Sequence, residues 1–243
     1  MTWSNRLRLA AGLVVVLVLV AGFTLVFNQR QTQATSTSAT IDAESFPVGT
    51  DYGGLVTEQF VKSGATVTAG ERLFAVRSLR LQQDIASGLL DPRSAPYPVT
   101  PDGTATVVAA VSGTISSIDV QQGAYAQAGT VLAHIDRRGS LFVKADFTLT
   151  ARDYSRVAVG APVDLLLPNQ RVLAGRVQRI EVQTVSGRAQ STVLVASSGL
   201  DEGTDDGLIT PGTPVTATLH LRDDGPLAGP SDAFAALLRK IGL

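Results

Sequence analysis

Two kinds of hydrophobic pattern divide the chain. Residues 9–27 (LAAGLVVVLVLVAGFTLVF) run without a charge. As a helix at ~1.5 Å per residue they cover roughly 28 Å, close to the ~30 Å hydrocarbon core of a bilayer. Beyond residue 41 the apolar runs are short and broken by Gly, Asp and Pro, the texture of strands and turns. The clearest strand is 213–222 (TPVTATLHLR): Val215, Ala217, Leu219 and Leu221 alternate with Thr216, Thr218, His220 and Arg222. Residues 141–147, 163–167, 172–182 and 191–196 are further strand candidates. Helical patterning is confined to 79–90 and to 231–241, where Phe234, Leu237, Leu238 and Ile241 share one face behind a Ser231–Asp232 cap.

Arg6 and Arg8 precede the long apolar run and only Arg30 follows it closely. The positive-inside rule therefore predicts a single-pass anchor in the cell membrane, with a cytoplasmic N-terminus and the bulk of the chain extracytoplasmic. A cleaved signal peptide is the competing reading, with a small-x-small site at Thr37-Ser38-Ala39, but its apolar core usually spans only ~7–15 residues. Residues 29–40 (QRQTQATSTSAT) hold no aliphatic side chain larger than Ala, which predicts a solvated linker.

The chain repeats itself. Displaced by 59 positions, residues 54–76 lie over 113–135 without a gap. Gly54/Gly113, Val61/Val120, Gly64/Gly123, Ala65/Ala124, Ala69/Ala128, Gly70/Gly129 and Leu73/Leu132 are identical, and Val56/Ile115 and Val76/Ile135 are conservative. Glycines recur where strands turn sharply, because a residue without Cβ meets no steric penalty at positive φ. The spaced Val, Ile and Leu point inward. Each copy is too small to bury its own apolar face, so the two are expected to pair into one core about a pseudo-two-fold axis.

This G-x-[VI]…V-x2-G-x5-G-x2-L pair resembles the two halves of a biotinyl/lipoyl-type β-sandwich. With an apolar N-terminal run before it and a β-rich segment after it, the chain is similar to the membrane fusion protein family, periplasmic adaptors of the HlyD type. Residues 141–168 (ending V-x-V-G-x-x-V and the strand after it), 173–181 (LAGRVQRIE) and 211–219 (PGTPVTATL) resemble successive strands of that family's β-barrel. The resemblance implies a mainly β fold: an N-terminal transmembrane helix, a split biotinyl/lipoyl-like β-sandwich, then a small β-barrel domain. The boundaries expected are 1–28 for the cytoplasmic N-terminus and membrane helix, and 29–44 for the linker. Residues 45–143 form the sandwich (halves 45–76 and 104–140, insert 77–103), 144–224 the barrel, and 225–243 a tail with an amphipathic helix. The family's long helical hairpin between the sandwich halves has no counterpart. Residues 79–90 allow three turns, and Pro92, Pro96, Pro98 and Pro101 then bar a helix.

Composition narrows the chemistry. Twenty Lys+Arg balance 21 Asp+Glu, which argues against nucleic acid as a partner, since that needs a concentrated basic face. The absence of Cys removes disulfides, thiolate metal sites and Cys catalysis. Two histidines, His134 and His220, do not assemble a His-rich metal site. The acidic stretch 201–207 lacks the spacing of a calcium loop and reads as a solvated turn. No lysine lies between Val76 and Gly113, so a biotin or lipoate carrier is excluded, and Lys62 falls inside the first repeat. No nucleophile elbow, phosphate-cradling loop or carboxylate pair is present.

The expectation is thus a non-enzyme without cofactor or metal: an adaptor subunit of an export or efflux transporter. Its partners would be the membrane, through the N-terminal helix, and an integral membrane transporter such as an ABC permease; the family also allows a homo-oligomer. An accessory subunit of a cell-envelope polysaccharide or glycan synthesis complex is the alternative. The residues that carry the reading are Gly54, Gly64, Gly70, Leu73, Gly113, Gly123, Gly129 and Leu132 for the repeat. Phe234, Leu237, Leu238 and Ile241 are candidate partner or membrane contacts, packing on the barrel being the alternative.

Overall fold

A computed structural model of the chain describes residue 12 and residues 32–222, apart from 96, 186, 187 and 206. The apolar run 9–27 (Gly12 aside) and the 231–241 segment, with Phe234, Leu237, Leu238 and Ile241, lie outside the described residues. Among the described residues no helix is long and apolar enough to cross a membrane.

In chain order the strands are β1 (Gln33–Thr35), β2 (Ser38–Asp42), β3 (Ser45–Gly49), β4 (Gly54–Gln59), β5 (Thr66–Val67) and β6 (Arg72–Arg77). Helix α1 (Leu79–Ala86) follows, then β7 (Thr104–Val108), β8 (Gly113–Ile118), β9 (Tyr125–Ala126), β10 (Val131–Arg137) and β11 (Phe142–Leu149). Helix α2 (Ala151–Ser155) precedes β12 (Pro162–Leu166), β13 (Val172–Val185), β14 (Arg188–Ala196) and β15 (Thr216–His220). The fold is mainly β, in two compact units: residues 42–141, and the chain on either side of them.

The central unit is a pair of four-stranded sheets, β3-β10-β8-β5 and β7-β6-β4-β9. One apolar cluster is shared between them, with Val56, Leu73, Phe74 and Val76 from one sheet and Ile115, Leu132 and Ile135 from the other. Each of these side chains is fully buried, at ~1.5–3 kcal/mol apiece by area removed from water. The two sheets trade strands: β5 of the first repeat pairs with β8 of the second, and β9 of the second pairs with β4 of the first. Neither half can therefore complete its own sheet.

The flanking unit is a seven-stranded sheet ordered β1-β15-β12-β13-β14-β11-β2. Its ends meet. The backbone N–H of Ile41 donates to the Thr213 carbonyl at 2.9 Å, and that of Val215 to Ala39 at 2.9 Å, so β2 joins the segment leading into β15 and the sheet closes as a barrel. Val163, Leu165, Val193, Val195, Ala217 and Leu219 fill the interior, each from the inward half of an alternating strand.

The linker expected over 29–44 is corrected here. Residues 33–35 and 38–42 are barrel strands, and Ala39 and Ile41 are buried on the inward face. Ser and Thr at the alternate positions face outward, which a barrel wall accepts as readily as a linker does. The helix expected over 79–90 ends at Ala86 because Gly88 turns into the left-handed region at φ +76°.

Candidate functional site

The repeat glycines do two different jobs. Gly64, Gly70, Gly123 and Gly129 hold φ of +83°, +87°, +88° and +81° with open space where a Cβ would be. Gly54 and Gly113 lie where backbones touch: a Cβ would stand 2.2 Å from the Arg77 carbonyl oxygen and 2.0 Å from that of Asp136. Arg77 and Asp136 are themselves 59 positions apart. Leu73 and Leu132 are both fully buried.

The symmetry holds bond by bond. The Gly64 N–H donates to the Ile115 carbonyl and the Gly123 N–H to the Val56 carbonyl, both at 2.8 Å. Gly70 N–H donates to Ala109 at 2.8 Å and Gly129 N–H to Thr50 at 2.7 Å. Every donor and acceptor in the first bond of each pair has its counterpart 59 positions away in the second. Strands β3 and β7 are related by the same displacement, so the structural repeat begins before Gly54.

One exchanged-strand pair differs in polarity between the two copies. Leu55 on β4 stands opposite Tyr125 on β9, and the equivalent positions are Thr66 on β5 opposite Thr114 on β8. A small polar pair on one side is an apolar pair on the other, and both members face outward. Leu55 is 37% exposed and Tyr125 70%. Beside them Leu79, at the start of α1, is 75% exposed, and the three border a cleft with Arg77, Arg80 and Asp102. Helix α1 is fixed there by Ser78, whose hydroxyl accepts from the Leu81 N–H at 3.4 Å, and by buried Leu81. Gly103 fits against it, with a Cβ position 2.6 Å from the Ser78 carbonyl oxygen. The sequence placed Leu79 on a helix but gave no role to Leu55 or Tyr125. The available signal was the repeat itself: these are outward positions at which its two copies disagree in polarity.

Titratable groups near this cleft serve the loop. Asp102 accepts from the hydroxyls of Thr100 and Thr104, and these hold its carboxyl below the ordinary aspartate value. Burial pushes the Tyr97 phenol up, with Asp51 and Tyr52 adding to it. His134 lies 3.3 Å from Asp119, and His220 lies 2.8 Å from Asp164 across β15 and β12. Arg171 pairs with Asp205 of the acidic stretch. Among the described residues no three His, Cys, Asp or Glu side chains converge as a metal site would require.

A split, strand-exchanged sandwich flanked by a closed barrel places the molecule structurally with the membrane fusion and periplasmic adaptor proteins. ZneB from Cupriavidus metallidurans superposes with a TM-score of 0.59 at 16% identity, covering 78% of this chain and 99% of that one. A MacA–MexA chimera carrying the Pseudomonas aeruginosa MexA α-hairpin gives 0.58 at 13% identity, covering 79% and 83%. MacA from Actinobacillus actinomycetemcomitans gives 0.55 at 11% identity, covering 78% of each.

Sequence agrees. The chain is 34% identical over 142 residues to the nickel-cobalt-cadmium resistance protein NccB of Alcaligenes xylosoxydans xylosoxydans, covering 57% of this chain and 34% of the relative. It is 31% identical over 132 residues to the nickel and cobalt resistance protein CnrB of Cupriavidus metallidurans, covering 54% and 32%. The chain thus spans about a third of the length of these curated relatives. No family model matches it. The chain is thus related in sequence to NccB and CnrB over just over half its length, and it shares its fold with ZneB and MacA. Between β6 and β7 it carries α1 and a loop in place of a long helical hairpin.

Proposed function

We propose that this chain is a non-catalytic, membrane-anchored adaptor subunit of an export or efflux transporter. Residues 9–27 hold it in the membrane, and the lipoyl-like sandwich and small barrel stand on the extracytoplasmic side. It docks on the extracytoplasmic face of an integral membrane partner. The observation that carries this reading is the asymmetric pair Leu55–Tyr125. Leu55 and Tyr125 are exposed where the other copy of the repeat carries two threonines, and exposed Leu79 borders the same cleft. Clustered exposed apolar side chains mark an interaction surface more often than a solvated one. Divalent transition metals, named for the relatives NccB and CnrB, are the cargo to test first.

The test uses the double variant Leu55→Thr/Tyr125→Thr, which rebuilds on this side the pair that the symmetric side already carries. A deletion strain is expected to lose tolerance to nickel, cobalt or cadmium. The intact chain should restore it and the double variant should not, although its melting temperature is unchanged. Unaltered metal tolerance combined with a changed cell-surface glycan would refute the efflux reading in favour of a polysaccharide accessory role.

A further inference from the structure

The described barrel leaves a very short tether to the apolar run. Strand β1 begins at Gln33 and Thr32 is already bound, its carbonyl accepting from the Leu221 N–H at 2.7 Å. Only Asn28, Gln29, Arg30 and Gln31 separate Phe27 from Thr32. Five Cα steps of ~3.6 Å reach at most about 18 Å. One end of the barrel is thereby committed.

That end is defined by named contacts. Gln33 pairs with His220, and the Arg222 N–H donates to the Arg156 carbonyl at 3.0 Å while Arg156 Nε donates back to the Arg222 carbonyl at 2.7 Å. Helix α2 lies beside them, capped by Thr150, and Gln33, Thr150, Arg152, Arg156 and Leu221 border one cleft. Arg152 and Arg222 are exposed, Tyr154 is partly so, and Val159 in the loop after α2 is 71% exposed. Asp153 is engaged by the Thr150 hydroxyl at 2.7 Å and lies 4.0 Å from Arg156. In sequence, Arg30 precedes β1 and Asp223 and Asp224 follow Arg222.

We propose that the α2 end of the barrel rests on the lipid headgroup layer, with Arg152 and Arg222 on anionic headgroups and Tyr154 at the interface. This rests on reading residues 9–27 as a membrane anchor. Two physical arguments support it. A tether of this length keeps the end close to the headgroups, where a cation is attracted over about a Debye length, ~8 Å at physiological salt. Aromatic side chains with one polar end favour that layer. The opposite end of the barrel, where Leu166 pairs with Val172, has no such constraint.

Because the chain has no cysteine, single cysteines can be labelled cleanly. The full chain with Val159→Cys or Val172→Cys, each carrying an environment-sensitive fluorophore, is reconstituted into phosphatidylglycerol-containing vesicles with a headgroup-attached quencher. Co-flotation with the vesicles reports the anchor, and quenching reports the apposition. Expected are flotation of both proteins, several-fold stronger quenching at position 159 than at 172, and weaker quenching at 159 when Arg152→Glu and Arg222→Glu are added while flotation persists. Equal quenching at the two positions, or indifference to the charge reversal, overturns the apposition and leaves the anchor standing. Failure to float overturns the anchor and the proposal together.

Discussion

Replacing Gly113 by Ala tests the strand-exchanged core at its tightest point. The added Cβ would stand 2.0 Å from the Asp136 carbonyl oxygen and 3.0 Å from Ile135 Cγ2, where ordinary contact begins at 3.4 Å. Strand β10 would have to retreat by 3.4 − 2.0 = 1.4 Å, and its bonds to β8 cannot follow without breaking register. Overpacking of this kind costs about 1–3 kcal/mol, and a forced backbone shift belongs at the upper end. Gly54→Ala demands a retreat of 3.4 − 2.2 = 1.2 Å from Arg77 and should cost nearly the same. Gly123→Ala meets open space and carries only the penalty of φ +88°, roughly 1–2 kcal/mol. For a unit of this size each kcal/mol lowers the melting temperature by ~4–8 °C. Calorimetry of the detergent-solubilised chain should therefore rank Gly113→Ala and Gly54→Ala together, well below Gly123→Ala, with the parent on top. Were the Gly123 variant as damaging as the other two, the close-approach argument would be wrong.

Three further expectations follow from other parts of the fold. Ile41→Asp should unfold the barrel, and deletion through residue 42 should do the same where deletion through residue 31 does not; equal melting of the two truncations would return 33–42 to the status of a linker. Leu81→Ala should cost ~2–5 kcal/mol, as truncation of a fully buried Leu does, whereas Ser78→Ala should cost only ~0.5 kcal/mol, since its capping bond is long at 3.4 Å; thermal melts decide. The Asp102 carboxyl is held below its ordinary value by Thr100 and Thr104. Its stabilising effect is then complete above the unfolded value and disappears as pH falls through the folded one. Asp102→Asn should flatten the acid limb of the stability profile, and an unchanged limb would count against the hydroxyl clasp.

The glycines made the sandwich legible, because positive φ, or a carbonyl oxygen about 2 Å from where a Cβ would stand, admits almost no other residue. Strands β3 and β7 fall at the starts of the two expected halves but outside the matched repeat, for the opposite reason. Backbone ladders ask little of side chains, and SFPVG against TATVV share only Val48/Val107. Strand β2 was hidden by Ala39, whose single methyl group satisfies the barrel interior while adding little to a hydrophobic pattern. The Leu55–Tyr125 patch was written in the repeat only as a difference, and a search for agreement passes over it. His220 read correctly as a polar-face residue, but its partner Asp164 lies 56 positions away and on another strand.

Closure of the barrel also dictates a timetable. Ser36 accepts from the Ala217 N–H across 181 residues of chain, so β1 and β2 are synthesised well before β15 and meet their last partner only when it has followed. The contiguous unit 42–141 can fold in the interval, exchanging β5 and β9 over a few dozen residues. Contacts of long sequence separation form slowly, and unpaired strand edges invite association with other chains. For a nascent molecule of this design, the dangerous period falls between completion of the sandwich and arrival of residue 220, when an open half-barrel waits for its final stave.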